Sequence, residues 1–178
     1  MSKVVLDQVQ EMSAERLKQG TYILLLHANK IPPHLGLIAN GKYFSLTANE
    51  SQVALEGESI WRMIQSKNIP SLFIEVNSES SEEILTDVFS QFEKAVPGKI
   101  SCLQPLKTYF SSLHQINVDE VNYVFDLVEQ LESYDLILGS YHQNLSEELK
   151  NGSFTMITYT MEEIYNRIAI LQQQTTNA

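Results

Sequence analysis

Pro33-His34-Leu35-Gly36-Leu37-Ile38-Ala39-Asn40-Gly41-Lys42-Tyr43-Phe44-Ser45-Leu46-Thr47 is the stretch that decides how this chain folds. Two apolar-rich runs flank Asn40-Gly41, the dipeptide that best tolerates the positive φ angles of a tight type I′ turn. With that turn fixed, the register follows: Ala39 faces Lys42, Leu37 faces Phe44, Gly36 faces Ser45 and His34 faces Thr47. Opposed residues share a face, so Leu35, Leu37, Ala39, Phe44 and Leu46 make one apolar side. His34, Gly36, Ser45 and Thr47 make the other, which holds a histidine on a stiff strand among small polar neighbours.

Outside the hairpin, helical spacing alternates with short apolar runs. Val5, Val9, Met12 and Leu17 predict an opening helix that Gly20 ends. Residues 21–28, 71–76, 134–141 and 154–160 read as strands. Ile60, Trp61 and Ile64 mark a helix over 59–67. Ser80-Ser81-Glu82-Glu83 has the form of a capping box, with the Ser80 hydroxyl and Glu83 carboxylate as its partners. It opens a helix on Ile84, Leu85, Val88, Phe89 and Phe92 that stops at Pro97-Gly98. Ser101 and Pro105 suit the first turn of another. Asn117 to Glu120 caps a helix from Val121, and Thr160 to Glu163 caps the last one, striped by Met161, Ile164, Tyr165, Ile168 and Leu171. The tail from about 172 reads as frayed. Interleaved helices and strands with one clear hairpin predict an α+β fold. It forms a single domain over 1–178, with a mixed or mainly antiparallel sheet, a hairpin at 34–47 and about five or six helices.

Composition narrows the function classes. The chain has 178 residues, enough for one core, and at 43% hydrophobic and 19% charged it is not of the disordered class. With 22 acids against 12 bases, its net charge is −10. Such a surface repels phosphate backbones and anionic lipid, which argues against nucleic acid and membrane as partners. The N-terminus lacks the apolar core of a signal peptide, and runs such as Ile23 to Leu26 are too short to cross a bilayer. One cysteine precludes an internal disulfide and suits a reducing compartment, so the expected location is cytoplasmic.

That cysteine, Cys102, is placed by Ser101 and Pro105 near a helix N-terminus, where unsatisfied amides favour the nucleophilic thiolate. Free cysteines more commonly serve as small buried hydrophobes. A cysteine nucleophile needs a base and a group to orient it. His34 is the candidate base, and Ser45 or Thr47 shares the face needed to hold the imidazole. The four histidines, His27, His34, His114 and His142, show no paired metal-ligand spacing. No phosphate-cradling glycine run appears either, so neither metal nor cofactor is expected. The paired acids Glu82-Glu83, Glu147-Glu148 and Glu162-Glu163 sit at helix starts, where negative charge is stabilising without any catalytic role.

The run from His34 to Ser45 resembles the histidine hairpin of papain-like enzymes of the bacterial cell-wall endopeptidase and lecithin retinol acyltransferase groups. Those proteins carry a His-apolar-Gly-apolar strand, a Gly/Asn-rich turn and a returning strand that often bears the third polar residue. In the permuted branch the cysteine follows the histidine and begins a helix, as here. The resemblance implies Cys102 as nucleophile and His34 as base, with Ser45 where the family has its orienting residue. Two functional expectations follow. The first is a domain that binds a small molecule, a peptide or a protein partner, as a homodimer in one version. The second is a thiol hydrolase or acyl/peptidyl transferase, with Cys102 attacking a carbonyl and His34 shuttling the proton.

Overall fold

The computed structural model describes residues 3–176. Its centre is β3 (Thr21–Leu26), six residues all buried, because neighbouring strands flank both edges and other elements cover both faces. β4 (His34–Ala39) and β5 (Lys42–Leu46) form the expected hairpin, with Gly36 opposite Ser45, Leu37 opposite Phe44 and Ala39 opposite Lys42. Asn40 and Gly41 have φ of 49° and 80°, the left-handed pair that the turn requires. The other strands are β1 (Val5–Leu6), β2 (Gln10–Glu11), β6 (Ser51–Glu56), β7 (Ser71–Val76), β8 (Ile137–Gln143) and β9 (Phe154–Thr155). Seven of them form one sheet in the order β2-β8-β7-β3-β4-β5-β6, antiparallel except for the β2–β8 pair, and β1 pairs with β9 beside it.

Among the described residues five helices complete the α+β fold: α1 (Gly57–Ser66), α2 (Glu82–Phe89), α3 (Gln104–His114), α4 (Val124–Ser133) and α5 (Met161–Thr176). One face of the sheet presents Ile23, Leu25, Leu35, Leu37, Phe44 and Leu72 to α2, α3 and α4, which supply Leu85, Phe89, Leu106, Phe110, Leu127 and Leu131. The opposite face presents Tyr22, Leu24, Ile38, Tyr43 and Phe73 to Met12, Leu17 and Ile64. No helix among the described residues is long and apolar enough to cross a membrane.

Several local expectations are corrected. The opening stretch is not a helix: β1, β2 and a short 3-10 turn at Arg16–Lys18 occupy it. Val5 is exposed, whereas Val9 is buried with one core and Met12 and Leu17 with the other, which a crossing extended chain achieves and a single helix face does not. β6 escaped the pattern because it is an edge strand with only half of its surface covered. The N-cap of α2 is Ser81, whose hydroxyl accepts from the Ile84 amide at 3.1 Å, rather than Ser80. That helix ends at Phe89, whose carbonyl accepts from the Ser51 hydroxyl at 2.9 Å. α4 begins three residues later than expected because the Asp126 carboxylate accepts from the Asn122 and Tyr123 amides, both at 3.0 Å. At the last helix the Thr160–Glu163 capping box is present in both directions, at 2.9 and 3.2 Å. α5 continues to Thr176, through most of the expected frayed tail, and the rest of that tail, residues 177–178, lies outside the described residues.

Candidate functional site

Strand alternation at the start of β4 sends His34 and Leu35 to opposite faces of the sheet. On the face of Ile38 and Tyr43, His34 Nε2 lies 2.6 Å from Ser45 Oγ, so the expected histidine–hydroxyl pair is formed. Ser45 is wholly buried and also hydrogen-bonds the Tyr43 phenol, which burial pushes up to about 12. The Tyr43 ring lies over Gly36: a Cβ there would come within 2.5 Å of it, so only glycine leaves the ring room. Burial holds the His34 imidazole below its ordinary value, and the nearby His27 adds repulsion in the same direction. A neutral imidazole clamped by a hydroxyl results.

Thr47 is not part of this cluster. Its hydroxyl donates to the Glu50 carbonyl at 2.9 Å and accepts from the Asn49 and Glu50 amides, closing the turn between β5 and β6. The two candidate orienting residues are therefore separated: Ser45 meets His34, and Thr47 is consumed by a turn.

Cys102 stands on the other face. It precedes α3 in a turn where Ser101 Oγ accepts from the Leu103 amide at 3.2 Å. The half-buried thiol packs with the core of the Leu35 face. Burial pushes the thiol up from its ordinary value, while backbone amide hydrogen bonds from Leu35 and from Cys102 itself pull it down. Burial is the stronger influence, and the sulfur is held as a neutral thiol.

Cys102 lines a groove of about 330 Å³. One wall is Pro33, Leu35 and the start of α3, and another is the 96–100 turn, closed by the Val96–Ile100 bridge. Tyr123 and Tyr159, whose rings touch, also line it, and α5 contributes Ile164 and Ile168. His34, Ser45 and Thr47 do not line it. The sequence reading assigned Ile164, Tyr165 and Ile168 to a core stripe. Ile164 and Ile168 are only half-buried and Tyr165 is 45% exposed, because α5 meets the body over its first turns and shares that contact with open space. No spacing rule could have joined residues from the 32–35, 96–104, 122–124 and 159–168 segments.

A second buried polar group was also illegible in the sequence. The Tyr109 hydroxyl hydrogen-bonds both Ser78 and Ser80, His114 Nε2 lies 2.8 Å from Ser78 Oγ, and Thr21 reaches Ser80 at 3.3 Å. This network ties the loop after β7 to α3. No group of three or more His, Cys, Asp or Glu among the described residues is arranged to hold a metal ion.

Comparison of the chain with protein-family models, with curated proteins and with solved structures found no match.

Proposed function

We propose that this chain is a ligand-binding module whose site is the groove between α5 and the 96–104 segment. The observation that carries the reading is the wall itself. Aliphatic and tyrosine side chains from four separate segments converge on a recess of about 330 Å³, within the size range of small-molecule sites. Apolar surface left open in this way, beside an otherwise well-filled core, gains free energy when a ligand removes it from water. The neutral apolar fluorophore N-phenyl-1-naphthylamine tests this reading. It should bind at one site per chain with enhanced emission, and Ile168→Glu, which places a charge on the wall at a half-buried position, should abolish that enhancement. Equal enhancement in the variant, or none in the parent, overturns the assignment.

A thiol-transferase reading draws on a different observation: Cys102 lines the groove, and Leu35, whose amide hydrogen-bonds its sulfur, is the residue next to the His34–Ser45 pair. In that reading the sulfur attacks a carbonyl bound in the groove and His34 takes the thiol proton. The leaving group departs with that proton, and water then cleaves the thioester. It requires the imidazole to reach around the start of β4 to the sulfur. Alkylation of Cys102 by iodoacetamide separates the two readings. A binding module with a buried neutral thiol labels more slowly than the urea-unfolded chain at pH 7, and His34→Gln leaves that rate unchanged. An activated pair labels faster than the unfolded chain and loses the excess in His34→Gln.

A further inference from the structure

The groove's occupant can be specified further, in an inference that rests on the binding reading above. We infer that the site takes an aliphatic carboxylic acid of medium length, with its carboxylate at Lys99 and Tyr165 and its chain along the apolar wall. Among the described residues that line the groove Lys99 is the only charged one, in a chain whose net charge is −10. A single cation at an apolar recess in an acidic protein is a selective electrostatic feature, because the rest of the surface repels the anion that Lys99 attracts.

The cation's backbone is held in place. Lys99 sits in a tight turn closed by three backbone hydrogen bonds: Val96 to the Ile100 carbonyl at 2.7 Å, and Lys99 and Ile100 to the Val96 carbonyl at 2.9 Å each. Gly98 takes φ of 77° within it. The Tyr165 hydroxyl approaches the same turn from α5, 3.6 Å from where a Cβ on Gly98 would stand. Lys99 and the Tyr165 hydroxyl, both donors, are thus brought to the same turn at one end of a recess whose remaining wall is largely Leu35, Ile100, Ile164 and Ile168. A carboxylate accepts from both donors without burying its charge, since Lys99 is exposed at the rim.

Size sets the chain length. At roughly 30 Å³ per water-sized group in a condensed phase, about 330 Å³ holds about eleven non-hydrogen atoms, which is the length of an eight- to ten-carbon acid.

Sodium decanoate and decyltrimethylammonium bromide, each below its micellar concentration, test this by displacing N-phenyl-1-naphthylamine from the full chain. Both share the ten-carbon tail, and the protein's net charge alone favours the cation. The inference requires decanoate to bind more tightly. Lys99→Glu should weaken decanoate about three- to tenfold and strengthen the cation, as expected for reversing one exposed charge. Tyr165→Phe should weaken decanoate about two- to threefold, the scale of one exposed hydrogen bond, and leave the cation unmoved. Both side chains are exposed, and unchanged urea midpoints show that the variants fold. Equal or tighter binding of the cation to the parent chain overturns the acid inference while the groove reading stands. Displacement of the fluorophore by neither surfactant excludes the acyl occupant with the same consequence. Failure of the fluorophore itself to bind overturns both.

Discussion

The two faces of the β4–β5 hairpin are built from alternate residues of the same fifteen-residue stretch, yet they are different environments. The Leu35, Leu37 and Phe44 face is closed by α2 and α3 and is filled mainly by apolar contacts, such as Phe44 against Phe89 with ring centroids 5.6 Å apart. The His34, Gly36, Tyr43 and Ser45 face buries its tyrosine and serine as fully but embeds a hydrogen-bonded imidazole and phenol. The difference shows how period-two alternation sorts chemistry. A shift of one residue exchanges the faces completely, and the Asn40-Gly41 turn fixes which side receives the histidine. It also explains why Cys102, delivered to the Leu35 side by α3, does not share a pocket wall with His34.

The largest test removes the filling of the apolar face. Phe44→Ala should lower stability by about 3–5 kcal/mol, because Phe44 is 0% exposed and its ring packs against Phe89 of α2 in the core. Urea denaturation reads the loss. A cost below about 1 kcal/mol would mean that this face repacks freely and that the contrast with its partner is unfounded.

The second test overfills the polar face. Gly36→Ala pushes a methyl to within 2.5 Å of a Tyr43 ring that is itself only 1% exposed and has nowhere to move. The expected penalty is about 2–3 kcal/mol, at the upper end of overpacking costs, since Gly36 also sits in a paired strand. Pairing it with Tyr43→Leu, which vacates the ring, should recover part of that loss. Strict additivity of the two substitutions would show that Tyr43 is not what makes glycine necessary.

How much of this was written in the sequence depends on whether the information is local. Asn40-Gly41 determines its own turn and therefore the register of eight neighbours, so the hairpin and the His34–Ser45 pair were legible. Thr160 and Glu163 determine one another across a single helical turn. Thr47 was misplaced because the register argument assumed that β5 continued one residue past Leu46, whereas the hydroxyl found closer partners at Asn49 and Glu50. The opening helix failed for a related reason. Apolar spacing reports burial, and two cores on opposite sides of a sheet can imitate the stripe of one helix. The groove was beyond reach because its walls come from distant segments, and only the packing of α5 beside the 96–100 turn brings them together.

The smallest expected effect concerns the imidazole that marks the polar face. All four histidines are held below their ordinary value by burial, so the folded chain takes up these protons less readily than the unfolded one. The sign follows from that. Above pH 6.5 the histidines are neutral in both states and cost nothing. As pH falls below 6.5, the unfolded chain binds protons first and stability declines, until the folded-state values are passed. His34→Gln keeps a polar partner for Ser45 but cannot titrate. It should make the decline in urea midpoint between pH 7.5 and 5.5 shallower without reversing it, because His27, His114 and His142 still contribute. The same substitution at His114, the histidine bonded to Ser78 beyond the opposite face of the sheet, provides the control: its effect on the slope should be separate from that of His34 and additive with it. A steeper decline in His34→Gln would mean that the imidazole is protonated in the folded chain, and the polar face would then hold a charge rather than a neutral hydrogen-bonded ring.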